Sequence, residues 1–184
     1  MPTDLRTTDR CRPCRIATAL AVAVLTLPAH AATLACNSNL LPTLSAKVDP
    51  ALGVTLTGAT PGATAAGDYC KVEGVIGPAP SAIGFAVGLP MGNWNGRFLM
   101  GGDGGFDGSV ALPLNRLAQG YAVANSDSGH ATPPANDASW AYNNRTAEID
   151  YGSRAVLVTT QTAKQIARAF YQGLGAYEAA DKFV

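Results

Sequence analysis

From about Asp150 onward the apolar residues fall at helical intervals. Val156, Thr160, Ala163, Ile166, Ala167 and Phe170 recur at helical spacing, which lines one face of a 3.6-residue helix. The helix is expected to end at Tyr171 or Gln172, with Gly173 as its left-handed stop. This segment constrains the fold most, because the first half of the chain otherwise suggests an all-β domain. "GVTLTG" and "KVEGVIG" are short strand signals, and Ile83, Phe85, Val87 and Leu89 alternate in "SAIGFAVGLP" as in a half-buried strand. "PTLSAKVDPALGVTLTGATPGATAAGDYC" as a whole predicts a strand-and-loop region.

The middle of the chain supplies the alternation that joins the two halves. Asn95-Gly96 predicts a tight turn of the hairpin type and leads into the apolar run "RFLM". A glycine-rich stretch follows, then "ALPLNRLAQG", a short helix stopped at Gly120, then the buried-strand candidate "YAVANS". "DSGHATPPANDASWAYNN" predicts a long loop, being rich in turn formers around Pro133-Pro134. Strand, loop, helix, strand, loop and long helix predict an α/β sheet flanked by helices, after an antiparallel start.

The chain has 184 residues, 47% of them hydrophobic and 14% charged, a globular composition with enough length for one real core. Its formal net charge is zero and no basic cluster lies outside the N-terminus, so no nucleic-acid footprint is present. That N-terminus carries Arg6, Arg10, Arg12 and Arg15, then "IATALAVAVLTL" and Ala29-x-Ala31. A basic region, a short apolar region and a small-residue exit describe a secretory signal peptide. The apolar run is too short to span a bilayer core of ~30 Å. Cleavage is expected after Ala31, which places the protein outside the cell or in the periplasm. "TLAC" before Cys36 has a faint likeness to a lipoprotein box, with Thr33 where a large apolar residue belongs.

Cys11 and Cys14 would leave with the leader, so Cys36 and Cys70 remain. In an exported protein such an isolated pair is most simply a disulfide, buried free thiols being the alternative. With one remaining histidine, His130, neither a multi-histidine nor a cysteine-cluster zinc site can be assembled. No phosphate-cradling G-x-x-x-x-G-K-[ST] occurs. No cofactor and no metal is expected.

"GGDGGFDG", residues 101–108, holds five glycines directly after "RFLM". A dinucleotide-binding G-x-G-x-x-G fails at Asp107, and a calcium-binding G-G-x-G-x-D fails at Phe106. Successive glycines after a strand let backbone N–H groups converge on one anion. Esterases with an oxyanion loop after the third strand use this device. Aligned in that way, the N–H groups of Gly104 and Gly105 are the oxyanion donors, with Gly102, Asp103 and Phe106 as binding candidates.

"LPMGNWNGRFLMGGDGGFDG", "GYAVANSDSGH" and "RAVLVTTQTAKQIARAFY", in that order, resemble the N-terminal half of the tannase/feruloyl esterase family. That family includes hydrolases of mono(hydroxyethyl) terephthalate, and the resemblance covers roughly residues 36–173. It implies an exported α/β-hydrolase that cleaves esters of aromatic acids through a serine acyl-enzyme, and an early disulfide that suits Cys36 and Cys70. It also implies a nucleophile in a G-C-S-x-G-G motif after the long helix. Here the chain reads "FYQGLGAYEAADKFV" and contains neither that motif nor G-x-S-x-G. Residues 32–184 are therefore expected to be the N-terminal part of an α/β-hydrolase sheet. Nucleophile elbow, lid, catalytic Asp and catalytic His would all be missing from it.

Ser126, Asp127, Ser128 and His130 lie close together in a turn-rich stretch after a strand candidate, and neither serine stands in G-x-S-x-G. They are read as a turn-rich structural motif. Ser153 is read as a helix N-cap candidate, Trp94 as a packing residue, and Arg154 and Lys164 as solvated helix charges. The expected partner is a small aromatic ester, with self-association through an exposed sheet edge as a further expectation. The alternative function is a non-catalytic exported domain that binds an aromatic acid or carboxylate.

Overall fold

The computed structural model describes residues 35–78, 82–102, 104–106, 108–130 and 137–172. The expected leader, the cysteines within it, Thr33, Asp103, Asp107, Pro133-Pro134 and Gly173 lie outside them. Five strands form one mixed sheet: β1 (Val54–Thr64), β2 (Gly67–Ile76), β3 (Ile83–Pro90), β4 (Phe98–Met100) and β5 (Ala122–Ser126). Their spatial order is β1-β2-β3-β5-β4. β1, β2, β3 and β5 pair antiparallel in turn, whereas β4 and β5 run parallel. The expected antiparallel start and flanking helices are both present.

β2 alternates as a strand covered on one face does. Cys70, Val72 and Ile76 are buried while Tyr69, Lys71, Glu73 and Val75 are not fully so. β3 differs from its expectation: it is buried on both faces except at Gly84. Ile83, Phe85, Val87 and Leu89 enter the main core. The opposite face carries Gly84, Ala86 and Gly88, small enough for close cover from above. A Cβ at Gly88 would stand 2.9 Å from Leu117 Cδ1, and Leu117 belongs to the short helix α2 (Leu114–Ala118). Alternation of large with small residues thus marks a central strand, not a half-exposed one.

The Asn95-Gly96 turn forms, with Gly96 at φ +80°, but it closes no hairpin. β5 is inserted between β3 and β4. The expected strand-and-loop start also contains a helix, α1 (Leu41–Ser45), with Pro42 in its first turn. A short 3₁₀ turn, Ser38–Leu40, precedes it, and the Asn37 side chain accepts from Asn39 N at 2.9 Å there. Leu40 and Leu44, four residues apart, are both buried. A disulfide between Cys36 and Cys70, Cα atoms 5.5 Å apart, ties this segment to β2.

The last helical region is built in three parts. α3 (Arg145–Ile149) starts at Asn144, whose side chain accepts from Ala147 N at 3.2 Å. A π-type turn spans Asp150–Arg154, and α4 (Ala155–Gln172) follows. Ser153 is therefore not an N-cap; it sits inside the wide turn, its hydroxyl 3.4 Å from Ile149 O. α4 lies against the sheet through Ala155, Thr159, Ala163, Ile166, Ala167 and Phe170, while Val156 is half exposed. The buried stripe is thus offset from the expected one. Its first turns carry Ala and Thr, which bring the helix axis close to the sheet. Trp94 packs as expected, stacked on Tyr171 with ring centroids 3.7 Å apart.

Candidate functional site

β4 and β5 are the parallel pair, so both chains leave the sheet at the same end. Ligands of α/β sheets bind outside such carboxyl ends. The glycine-rich loop leaves β4, and its first residue extends the ladder, Gly101 N donating to Ala124 O at 2.7 Å. The turn Asp127–His130 leaves β5. A third segment, from Ser139 through the π-type turn, closes over both.

The turn after β5 is built around Asp127. Its carboxylate accepts from Gly84 N at 3.0 Å and from Gly129 N at 2.8 Å. Ser128 at φ +57° and Gly129 at φ +87° then reverse the chain. A Cβ at Gly129 would stand 2.8 Å from Asp150 Cβ, so glycine is required where the turn meets the helical segment. Burial pushes the Asp127 carboxyl above 3.8, against the pull of those amide donors and the His130 charge. A raised acid contributes its stability in full below the unfolded pKa and loses it as pH rises through the folded one. The stability of wild type relative to Asp127→Asn should therefore fall from pH 3.5 to pH 6 (), read by urea unfolding at both pH values. A pH-independent difference would refute it.

His130 is buried, and its Nε2 lies 2.9 Å from Phe106 O. A carbonyl only accepts, so Nε2 carries the proton. Nδ1 is buried with no hydrogen-bond partner among the described residues. Neither ring nitrogen meets the Ser126 or Ser128 hydroxyl, so the structural reading of this turn fits its geometry. The imidazole stacks on Trp140, centroids 3.9 Å apart and planes 13° apart. Tyr151 sits edge-on to the histidine at 5.8 Å and also contacts Trp140 and Phe106. Its hydroxyl donates to Gly105 O at 2.6 Å.

Two successive carbonyls of the glycine-rich loop are thus held by side chains from two other segments. The loop amides are in a different state. No hydrogen bond among the described residues uses the N–H of Gly104, Gly105 or Phe106. A Cβ at Gly102 or Gly104 would meet nothing within 4 Å, so that side of the backbone faces open space. Gly105 takes φ +66°, which glycine adopts without steric cost. Phe106 is 38% exposed, its ring against Tyr151 and Trp140.

Arg154 is not a free solvated charge. Its guanidinium donates to Asp150 Oδ1 at 2.7 Å, and the Asp150 side chain is completely buried. Tyr151, Trp140, Asp150 and Arg154 were invisible as site residues in the sequence. The usable signal was Gly152, a glycine inside a helical pattern, which flags a local irregularity. Among the described residues no group of three or more His, Cys, Asp or Glu is placed to hold a metal ion. Nor is any helix there long and apolar enough to cross a membrane.

The mixed sheet and its flanking helices define an α/β fold. The crystal structure of an esterase from Aspergillus oryzae shares the fold, with a TM-score of 0.58 at 20% identity over 73% of this chain and 31% of that one. The chain belongs to the tannase and feruloyl esterase family, whose sequence profile matches residues 70–178. It is similar to an uncharacterized esterase of Agrobacterium fabrum, 38% identical over 157 residues, or 72% of this chain and 27% of that esterase. An uncharacterized esterase of Xanthomonas campestris is 34% identical over 105 residues, covering 55% and 18%. A probable feruloyl esterase B-2 of Aspergillus flavus is 34% identical over 107 residues, covering 56% and 20%. The chain therefore spans about a quarter or less of the length of these curated relatives.

Proposed function

We propose that residues 32–184 form the oxyanion-hole side of an exported carboxylic ester hydrolase acting on esters of aromatic acids. The observation that carries this reading is the contrast within one loop: Gly105 and Phe106 carbonyls tied down, Gly104 and Gly105 amides without a hydrogen-bond partner among the described residues, and open space where a Cβ at Gly104 would stand. A tetrahedral acyl intermediate concentrates negative charge on one oxygen. Preorganised N–H donors stabilise that charge without reorganising during the reaction. Gly102 borders this space, and Phe106, 38% exposed, is the side chain proposed to meet an aromatic acid. Asp103 keeps its proposed binding role on sequence grounds alone.

The nucleophile is a separate requirement. Acyl transfer needs an activated serine with a base, and the 184 residues contain no G-x-S-x-G. The serine, aspartate and histidine are proposed to come from sequence outside these residues. The chain alone is then expected to leave methyl ferulate and methyl gallate intact. A chimera tests the function directly: these residues replace the matching segment of the Agrobacterium fabrum relative. The chimera should hydrolyse one or both esters, and Gly104→Pro, which deletes one donor, should lower kcat by about 10²–10³-fold. Tight binding of ferulate to the isolated chain, with an inactive chimera, would favour a binding domain instead.

Among the described residues β4 pairs with β5 on one side only. Arg97, Phe98, Leu99 and Tyr121 line a cavity of about 380 Å³ beside it. An open edge is a template for another strand. The isolated chain is proposed to self-associate there, so light scattering should give a mass above that of one chain. A monodisperse monomer at high concentration would refute this.

A further inference from the structure

We propose that Tyr151 and His130 are positioning residues which clamp the glycine-rich loop by two carbonyls and so set the direction of its N–H donors. The inference rests on the oxyanion reading above and deepens it. The Tyr151 hydroxyl holds Gly105 O at 2.6 Å, and His130 Nε2–H holds Phe106 O at 2.9 Å. A trans peptide is planar, with its C=O and N–H pointing opposite ways. Holding Gly105 O against Tyr151 therefore turns the Phe106 N–H away from the aromatic cluster. Phe106 N–H joins Gly104 and Gly105 as a donor, and it is the one whose direction is fixed most directly.

The clamp is built to be stiff. The imidazole is sandwiched by stacking on Trp140 and by the edge of Tyr151. Its other side packs on Gly108, where a Cβ would collide with His130. Tyr151 stands in the π-type turn, which is anchored by the Asp150–Arg154 pair. An extra residue in a helical turn re-aims the side chains around it, and such turns recur at functional sites. Here it accompanies a tyrosine whose hydroxyl reaches a backbone oxygen 46 residues away in sequence. Two anchors on consecutive peptides leave a loop of open glycines little rotational freedom. Without them the same glycines would be the least ordered residues of the site.

The test is amide ¹⁵N relaxation on the full chain. In wild type the Gly104, Gly105 and Phe106 amides should be rigid, with order parameters near 0.85, and in Tyr151→Phe they should fall below about 0.6. Amides of α4 should not change, which separates loop release from unfolding. His130→Ala should loosen the loop as well, while His130→Gln, which can supply an N–H in place of Nε2, should restore it. Rigid loop amides in both Tyr151→Phe and His130→Ala would overturn the clamp. In the chimera, Tyr151→Phe should lower kcat about tenfold with KM within about twofold, a transition-state loss. An active chimera with unchanged kcat overturns the positioning role. An inactive chimera with a loosened loop overturns the esterase reading alone and leaves the clamp supported.

Discussion

Replacing both Cys36 and Cys70 by alanine should remove about 3–4 kcal/mol of stability, the chain-entropy value for a closed loop of this length. The two cysteines are 34 residues apart. Cys70 is fully buried in the sheet, while Cys36 is partly exposed at its mouth. Alanine is the right replacement, since a serine hydroxyl at position 70 would be buried in an apolar core. The bond also holds α1, whose Leu40 and Leu44 close the core beside α4 and β1. For a domain of this size the loss corresponds to a drop of about 6–16 °C in Tm. Calorimetry of wild type and the double alanine variant reads it directly. A change below about 1 kcal/mol would mean that the unfolded chain gains little freedom from release.

Arg154→Ala should cost about 2–4 kcal/mol, because it leaves a buried carboxylate without its cation. Asp150 is 0% exposed and its second oxygen, Oδ2, has no hydrogen-bond partner among the described residues. The lower part of the range is the better expectation, since the arginine side chain is 38% exposed and water can partly replace it. The sign of the coupling is the sharper test. Asp150→Asn removes the charge that needs compensation, so the Asp150→Asn/Arg154→Ala double variant should recover most of the loss. A urea double-mutant cycle measures this. Equal destabilisation in the single and double variants would show that the arginine acts through packing alone. Damage here should also reach the site, because Asp150 presses on Gly129 in the turn that carries His130.

Elements whose evidence is local were legible in the sequence. The long helix announced itself by period, α2 by its stop at Gly120, and the early strands by alternation. The disulfide was expected because only Cys36 and Cys70 lie outside the stretch read as a leader. The glycine-rich loop was legible for a different reason: five glycines in eight residues straight after an apolar run mark a place where the backbone leaves a strand. α1 was missed although signals were present, with Asn37 capping the 3₁₀ turn just before it and Pro42 in its own first turn. The surrounding Pro, Gly and Thr concealed them. The buried face of α4 was misplaced because small residues, Ala155 and Thr159, carry it in the first turns. Their hydropathy is weak, yet they permit the closest approach.

By itself, then, the sequence determined an α/β sheet with an antiparallel start, a disulfide pair, and a glycine-rich loop placed after a strand. Only the tertiary structure decided that β5 enters between β3 and β4, so that loop and histidine-bearing turn leave the sheet at one end. It also decided that Tyr151 and His130 reach the carbonyls of Gly105 and Phe106. Periodicity and turn chemistry report on neighbours within a few residues, because they arise from backbone sterics and local hydrogen bonds. A hydroxyl meeting a carbonyl 46 residues away depends on how the sheet and its helices pack, which no local pattern records.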